Sequence, residues 1–125
     1  MSVGAAIRIT SRDEERVIQH AASYAQQRGA ACFIISVVRN LPYGVGTGDD
    51  LEVVQRNLAL ISGAQASAVM QEGRDIARTL LAVGRVFDLR AIFLQSGSSR
   101  PLGRSIAEQL LYLDPPFDVV IVGSE

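Results

Sequence analysis

The eight residues Ala31–Val38 (ACFIISVV) carry no charge and are rich in β-branched side chains. A nearly continuous apolar run, rather than one apolar at every second position, reads as a strand covered on both faces. The rest of the chain supplies the helices such a strand needs. Ala5–Thr10 (AAIRIT) reads as a short first strand. Ser11 then opens a helix, with Glu14 three residues later in capping-box spacing and Asp13, Glu14 and Glu15 matched to the positive end of the helix dipole. Val17, Ile18, Ala21, Ala22, Tyr24 and Ala25 recur at helical spacing, and Gly29 is the stop signal.

After the apolar strand, Arg39–Gly48 (RNLPYGVGTG) reads as a loop. Asp49 or Asp50 caps the next helix, with Leu51, Val54, Leu58 and Ile61 on one face and Gly63 at its end. Gln65–Gln71 is a more polar strand, placed nearer a sheet edge. Asp75–Phe87 is a helix with Ile76, Leu80, Val83 and Phe87 aligned, and Ala91–Gln95 (AIFLQ) is another buried strand. Ser96–Arg104 (SGSSRPLGR) is a small basic loop, and Ile106, Leu110 and Leu113 mark a last helix broken by Asp114-Pro115-Pro116. Phe117–Val122 (FDVVIV) is the final strand. Five strands alternating with helices predict an α/β domain: an open parallel sheet with helices on both faces and right-handed crossovers. Ligands of such sheets sit beyond the carboxyl ends of the strands, where strand order reverses. The loops after the first, second and fourth strands therefore carry the candidate site.

The chain has 125 residues, which predicts one domain over 1–125. A formal net charge of −1 gives no argument for nucleic acid or an anionic membrane surface as partner. One Cys and one His exclude an intramolecular disulfide and leave little for a metal cluster or a His-paired nucleophile. All 12 basic residues are Arg, so no lysine is available for Schiff-base chemistry. No apolar run reaches transmembrane length and no secretory pattern opens the chain, so the expected location is the cytoplasm.

Several features carry a resemblance. A capped, acid-started helix ends in Arg28-Gly29-Ala30, and a long loop follows the second strand. A Glu72-Gly73-x-Asp75 turn precedes the third helix. The Gly/Ser/Arg loop leads into Leu102-Gly103-Arg104-Ser105-Ile106-Ala107-Glu108-Gln109-Leu110, and an apolar strand ends in Phe117-Asp118-Val119-Val120-Ile121-Val122-Gly123. In this order they resemble the universal stress protein family over essentially the whole chain. The last stretch is also similar to the stress-protein-like domain of bacterial potassium-sensing histidine kinases. The resemblance implies the adenine nucleotide α-hydrolase-like sheet order 3-2-1-4-5. It also implies a homodimer joined through Phe117–Val122, a strand with no Lys, Pro or bulge to block edge pairing.

Nucleotide-binding members of that family carry an Asp at the end of the first strand and a Gly-x2-Gly-x9-Gly-Ser/Thr pattern after the fourth. Here Thr10 stands at the Asp position. The first two glycine positions fall on Gln95 and Ser98, with Gly97 reachable by a register shift, and the final pair falls on Gly103-Arg104, with Ser105 one place late. The loop is short, yet its hydroxyls, arginines and backbone N–H groups are suited to a phosphate. The candidate ligand is ATP or AMP. The candidate binding set is Thr10, Ser11, Arg12, Val38, Gly97, Ser98, Ser99, Arg100, Gly103, Arg104 and Ser105. The competing reading is a solvated, capped loop whose arginines hold carboxylates such as Glu108.

Gly44-Val45-Gly46-Thr47-Gly48 follows the second strand, not the first, and reads as a flexible loop rather than a dinucleotide fingerprint; the resemblance implies that it lies over the crevice, in a lid role. Cys32 reads as a buried structural thiol and His20 as a half-buried or surface residue of the first helix. No triad, acid/base pair or metal cluster is visible, which favours a non-catalytic protein. Three functions follow in order: a dimeric regulatory protein sensing a nucleotide or phosphate, an interaction module that binds no nucleotide, and a nucleotide phosphohydrolase.

Overall fold

The computed structural model describes residues 1–9, 14–38, 48–95 and 105–123, without the side chains of 48–51. The elements, in chain order, are β1 (Ser2–Ile7), α1 (Glu15–Gln27), β2 (Ala31–Val38), α2 (Gly48–Gly63), β3 (Ser67–Glu72), α3 (Ile76–Val86), β4 (Leu89–Gln95), α4 (Ile106–Tyr112) and β5 (Asp118–Val122). The strands form one sheet in the order β3-β2-β1-β4-β5. Each neighbouring pair is parallel. The expected α/β architecture and strand order are both present.

Residue alternation along the strands divides the core in two. Val3, Ala5 and Ile7 of β1, Cys32 and Ile34 of β2, and Ala91 and Phe93 of β4 pack against Val17, Ile18, Ala21 and Ala25 of α1 and Val54 and Ile61 of α2. On the other face, Ile35, Leu89, Ile92 and Leu94 pack against Ala77, Leu80 and Val83 of α3 and Ala107 and Leu110 of α4. Tyr24 meets Phe93 edge-on at 5.3 Å between centroids, with the Arg28 guanidinium 3.6 Å above the Tyr24 ring. Phe33 and Phe87 stack at 4.6 Å on the opposite face.

Four sequence expectations need correction. β1 spans Ser2–Ile7, not Ala5–Thr10. Gly4 lowers strand propensity on paper, but a Cβ there would lie 2.8 Å from Leu89 Cδ1 and 3.0 Å from Ile35 Cδ1. The glycine is what lets those side chains close over the central strand. The first helix does not open on a Ser11–Glu14 capping box. Its N-cap is Glu14, which makes no side-chain capping bond because its carboxylate turns inward. The α2 helix already begins at Gly48, so Asp49 and Asp50 lie inside its first turn rather than before it. Its buried stripe is Val53, Val54, Asn57 and Ile61, while Leu58 is 42% exposed. Smaller shifts separate β3 and β4 from their expected starts.

All four helices leave through the left-handed region two residues past their last helical position. Those residues are Gly29 (φ 61°), Gln65 (φ 56°), Asp88 (φ 53°) and Asp114 (φ 51°). Only one of them is glycine, the residue that adopts this conformation without a Cβ penalty.

Phe117 anchors the chain just before β5 by seating its ring against Gly84 of α3, where a Cβ would come within 2.9 Å of Phe117 Cδ2. In an exposed helix, Gly→Ala is stabilising by roughly 1 kcal/mol. At Gly84 the ring must instead be displaced. Gly84→Ala is therefore expected to lower the free energy of unfolding by about 1–3 kcal/mol. Urea unfolding measures it, and a gain in stability would contradict this packing.

Candidate functional site

The strand order reverses between β1 and β4. From β1 the chain crosses by α1 to β2 on one side, and from β4 it crosses by α4 to β5 on the other. The two strands are direct neighbours, with Ala6 beside Leu94, so their carboxyl ends stand side by side. Open parallel sheets take ligands in the crevice at such a reversal of strand order.

The β1 end of the crevice is held by polar side chains. The Ser36 hydroxyl, buried on β2, accepts the Ile9 backbone N–H at 3.1 Å and donates to the Ile7 carbonyl at 3.1 Å. One side chain thus replaces the strand ladder where β1 stops, which explains why the strand ends at Ile7 while Ile9 remains buried at 4% exposure. Asn57 of α2, 1% exposed, donates from Nδ2 to the Ile9 carbonyl at 2.7 Å. The buried Glu14 carboxylate accepts the Arg8 backbone N–H at 3.4 Å and stands 3.7 Å from Arg8 Nε. Next in sequence, Glu15 bonds Gln19 at 3.2 Å and Arg56 of α2 at 3.3 Å.

Two members of the expected binding set fall within the described residues. Val38 ends β2, half-buried, and its carbonyl accepts the Gly73 N–H at 2.9 Å. That bond carries the β2–β3 ladder one step beyond the strands. Ser105 is the N-cap of α4, and its hydroxyl accepts the Glu108 N–H at 3.2 Å. Thr10, Ser11, Arg12, Gly97, Ser98, Ser99, Arg100, Gly103 and Arg104 lie outside the described residues, as do residues 39–47 of the glycine-rich loop. Asp75, expected as the first residue of the helix, is instead the N-cap of α3, and its carboxylate accepts the Arg78 N–H at 3.1 Å.

Sequence reasoning did not single out Ser36 or Asn57, and it read Glu14 as a capping-box and helix-dipole charge. A trace was present for the first two. Ser36 is the one hydroxyl in an otherwise apolar strand, and Asn57 occupies an apolar-stripe position three residues after Val54. Neither pattern reveals that the partner is the backbone of residues 7–9.

Cys32 lies on β2 in the face covered by α1, and burial pushes its thiol up from 9.0 to about 11. It is the protonated, unreactive form that the fold favours. His20 is exposed on α1. Among the described residues, no group of three or more His, Cys, Asp or Glu is arranged to hold a metal ion. No helix among them is long and apolar enough to cross a membrane.

Two measurements follow. Ser36→Ala leaves the buried Ile9 N–H without its acceptor, so stability should fall by about 1–3 kcal/mol. An unchanged urea midpoint would contradict the bridging role. For Cys32, the folded-state pKa lies above the unfolded value, so the thiol's contribution is complete below pH 9 and is lost as pH rises toward 11. Wild type should therefore lose stability over that window relative to Cys32→Ala. Parallel curves for the two proteins would show the thiol is not desolvated.

No family model matches the chain, and no curated protein matches it. Solved structures do. A universal stress protein in complex with cAMP aligns with a TM-score of 0.76 at 15% identity, covering 100% of this chain and 98% of that one. A universal stress protein from Archaeoglobus fulgidus aligns at 0.68 and 19% identity, with 97% of each chain covered. A universal stress protein from the same organism in complex with dAMP aligns at 0.67 and 20% identity, covering 97% of this chain and 96% of that one. With its five parallel strands in the order β3-β2-β1-β4-β5 and helices on both faces, the chain has the fold of the universal stress proteins.

Proposed function

We propose that this chain is a single, non-catalytic regulatory domain that takes an adenine nucleotide, AMP or ATP, between the ends of β1 and β4 and works as a homodimer along β5. The observation that carries the nucleotide reading is the order reversal at β1 and β4. Residues 10–13 follow β1 after Arg8 and Ile9, and residues 96–104 follow β4 directly. Those two segments carry Arg12, Arg100 and Arg104, together with the hydroxyls of Thr10, Ser11, Ser98 and Ser99. Guanidinium groups and hydroxyls on segments that follow neighbouring strand ends suit a phosphate. Two similar structures, at 15% and 20% identity, hold cAMP and dAMP, which supports an adenine nucleotide as the ligand class.

Support for the dimer comes from the sheet edge. β5 pairs only with β4, so its outer backbone groups have no strand beside them among the described residues. Ile121 on that strand is 54% exposed, and Asp118–Val122 contains neither Lys nor Pro to discourage pairing.

Some polar groups near the crevice already serve the scaffold. The Ser105 hydroxyl caps α4 and the Val38 carbonyl holds Gly73. This favours, as the second reading, a module of the same fold whose partner is another protein. Isothermal titration of the purified chain with AMP and ATP separates the two, with native mass spectrometry reporting subunit number on the same sample. A dimer that binds one of them at micromolar concentration is expected, with Arg104→Ala weakening binding about tenfold through loss of a charge-assisted contact. No heat with either nucleotide at millimolar concentration would overturn the nucleotide reading, and a monomer would overturn the β5 interface.

A further inference from the structure

Two consecutive residues of α2 reach opposite ends of the turn between β1 and α1. Asn57 Nδ2 donates to the Ile9 carbonyl at 2.7 Å, on the strand side of that turn. Arg56 Nη2 pairs with Glu15 Oε2 at 3.3 Å, on the helix side. The two contacts differ in kind. The Asn57 bond is buried and joins residues 48 apart in sequence, whereas the Arg56 pair is about half exposed on each side. Two further side chains hold the strand side of the turn: Glu14 accepts the Arg8 N–H, and Ser36 of β2 accepts the Ile9 N–H. In chain order α2 follows β2, the strand that pairs with β1.

We infer that Arg56 and Asn57 are positioning residues: α2 grips both ends of the β1–α1 turn and so sets the affinity of the crevice for its ligand. An amide bonded to a backbone carbonyl in a buried site has one good geometry, so displacing α2 must displace Ile9 or break the bond. Exposed ion pairs contribute little to global stability. Arg56 therefore acts on the turn's position without governing whether the chain folds. Conversely, a ligand that fixes the turn favours the docked position of α2, because coupling between two contacts is reciprocal. The affinity part of this inference rests on the nucleotide reading above, while the positional part does not.

The test uses the full chain with Asn57→Ala, Arg56→Ala and, as a control on the far face, Arg78→Ala. Amide hydrogen exchange of the ligand-free protein is read at Arg8 and Ile9. Asn57→Ala is expected to speed both amides about tenfold relative to Ile34 and Ile92 in the sheet centre, as a local opening does. Arg56→Ala should shift them the same way by a smaller factor with its urea midpoint unchanged, and Arg78→Ala should not move them. Unchanged exchange at Arg8 and Ile9 in both α2 variants overturns the inference. If Asn57→Ala does not fold, Arg56→Ala carries the test.

AMP titration is then run where each variant is fully folded. An affinity about tenfold weaker in Asn57→Ala, with a smaller loss in Arg56→Ala, is the expected coupling. Equal affinity in all variants alongside faster exchange would show a structural role only and overturn the positioning claim. If wild type takes up no AMP, the nucleotide reading fails on its own account, and the exchange of Arg8 and Ile9 alone decides whether α2 positions the turn.

Discussion

The central strand of the sheet must be thin. β1 lies between β2 and β4, and its middle residues are Gly4, Ala5 and Ala6. These offer almost no side-chain volume, so the space above and below them is filled from the flanks. Leu89 and Ile35 close over Gly4 on one face, and Val17, Ile18 and Ala21 of α1 settle onto the other. Close packing of this kind tolerates little added volume. Because β1 is both first in the chain and central in the sheet, the remaining strands are laid out to its two sides. The reversal of strand order, and with it the crevice, follows from that placement.

At its carboxyl end the same strand changes from apolar packing to polar stitching. Ser36, Asn57 and Glu14 are all buried, and each bonds backbone within residues 7–9. Buried polar groups are tolerated only when bonded, and a bonded one specifies a geometry that an apolar contact leaves loose. Such a device suits the place where the chain must leave the sheet at a fixed angle. Apolar burial therefore secures the layers, and directional bonds aim the exit beside the crevice.

Much of the architecture was legible because it rests on periodicity. The continuous run Ala31–Val38 coincides with β2 residue for residue, and the polar Gln65–Gln71 region does form an edge strand. The misreadings share a cause. Local pattern starts the first strand at Ala5, after Gly4, because the side chains that fill the space at Gly4, Ile35 and Leu89, are distant in sequence. Ser11 and Glu14 satisfied a local capping spacing, but the Glu14 carboxylate is claimed by Arg8, just past the end of β1. Leu58 fitted the α2 stripe better than Asn57 until the Ile9 carbonyl, 48 positions away, supplied a reason to bury the amide. For the candidate site, local pattern placed Asp75 inside its helix rather than at the cap and set Ser105 among the phosphate contacts beside a competing capped-loop reading, and the stitching residues escaped because their partners are backbone atoms.

The left-handed helix exits have a consequence for the stability ceiling of the molecule. Gln65, Asp88 and Asp114 each hold a conformation that costs an L-residue with a side chain roughly 1 kcal/mol or more. Asp114 also precedes Pro115, which narrows its choices further. Domains of this size have a total stability of only about 5–15 kcal/mol. Three strained exits thus withhold a substantial share of what the same sheet and helices would provide if every exit resembled Gly29. The strain sits at the ends of α2, α3 and α4, away from the β1 exit, so the scaffold can be tightened without touching the crevice.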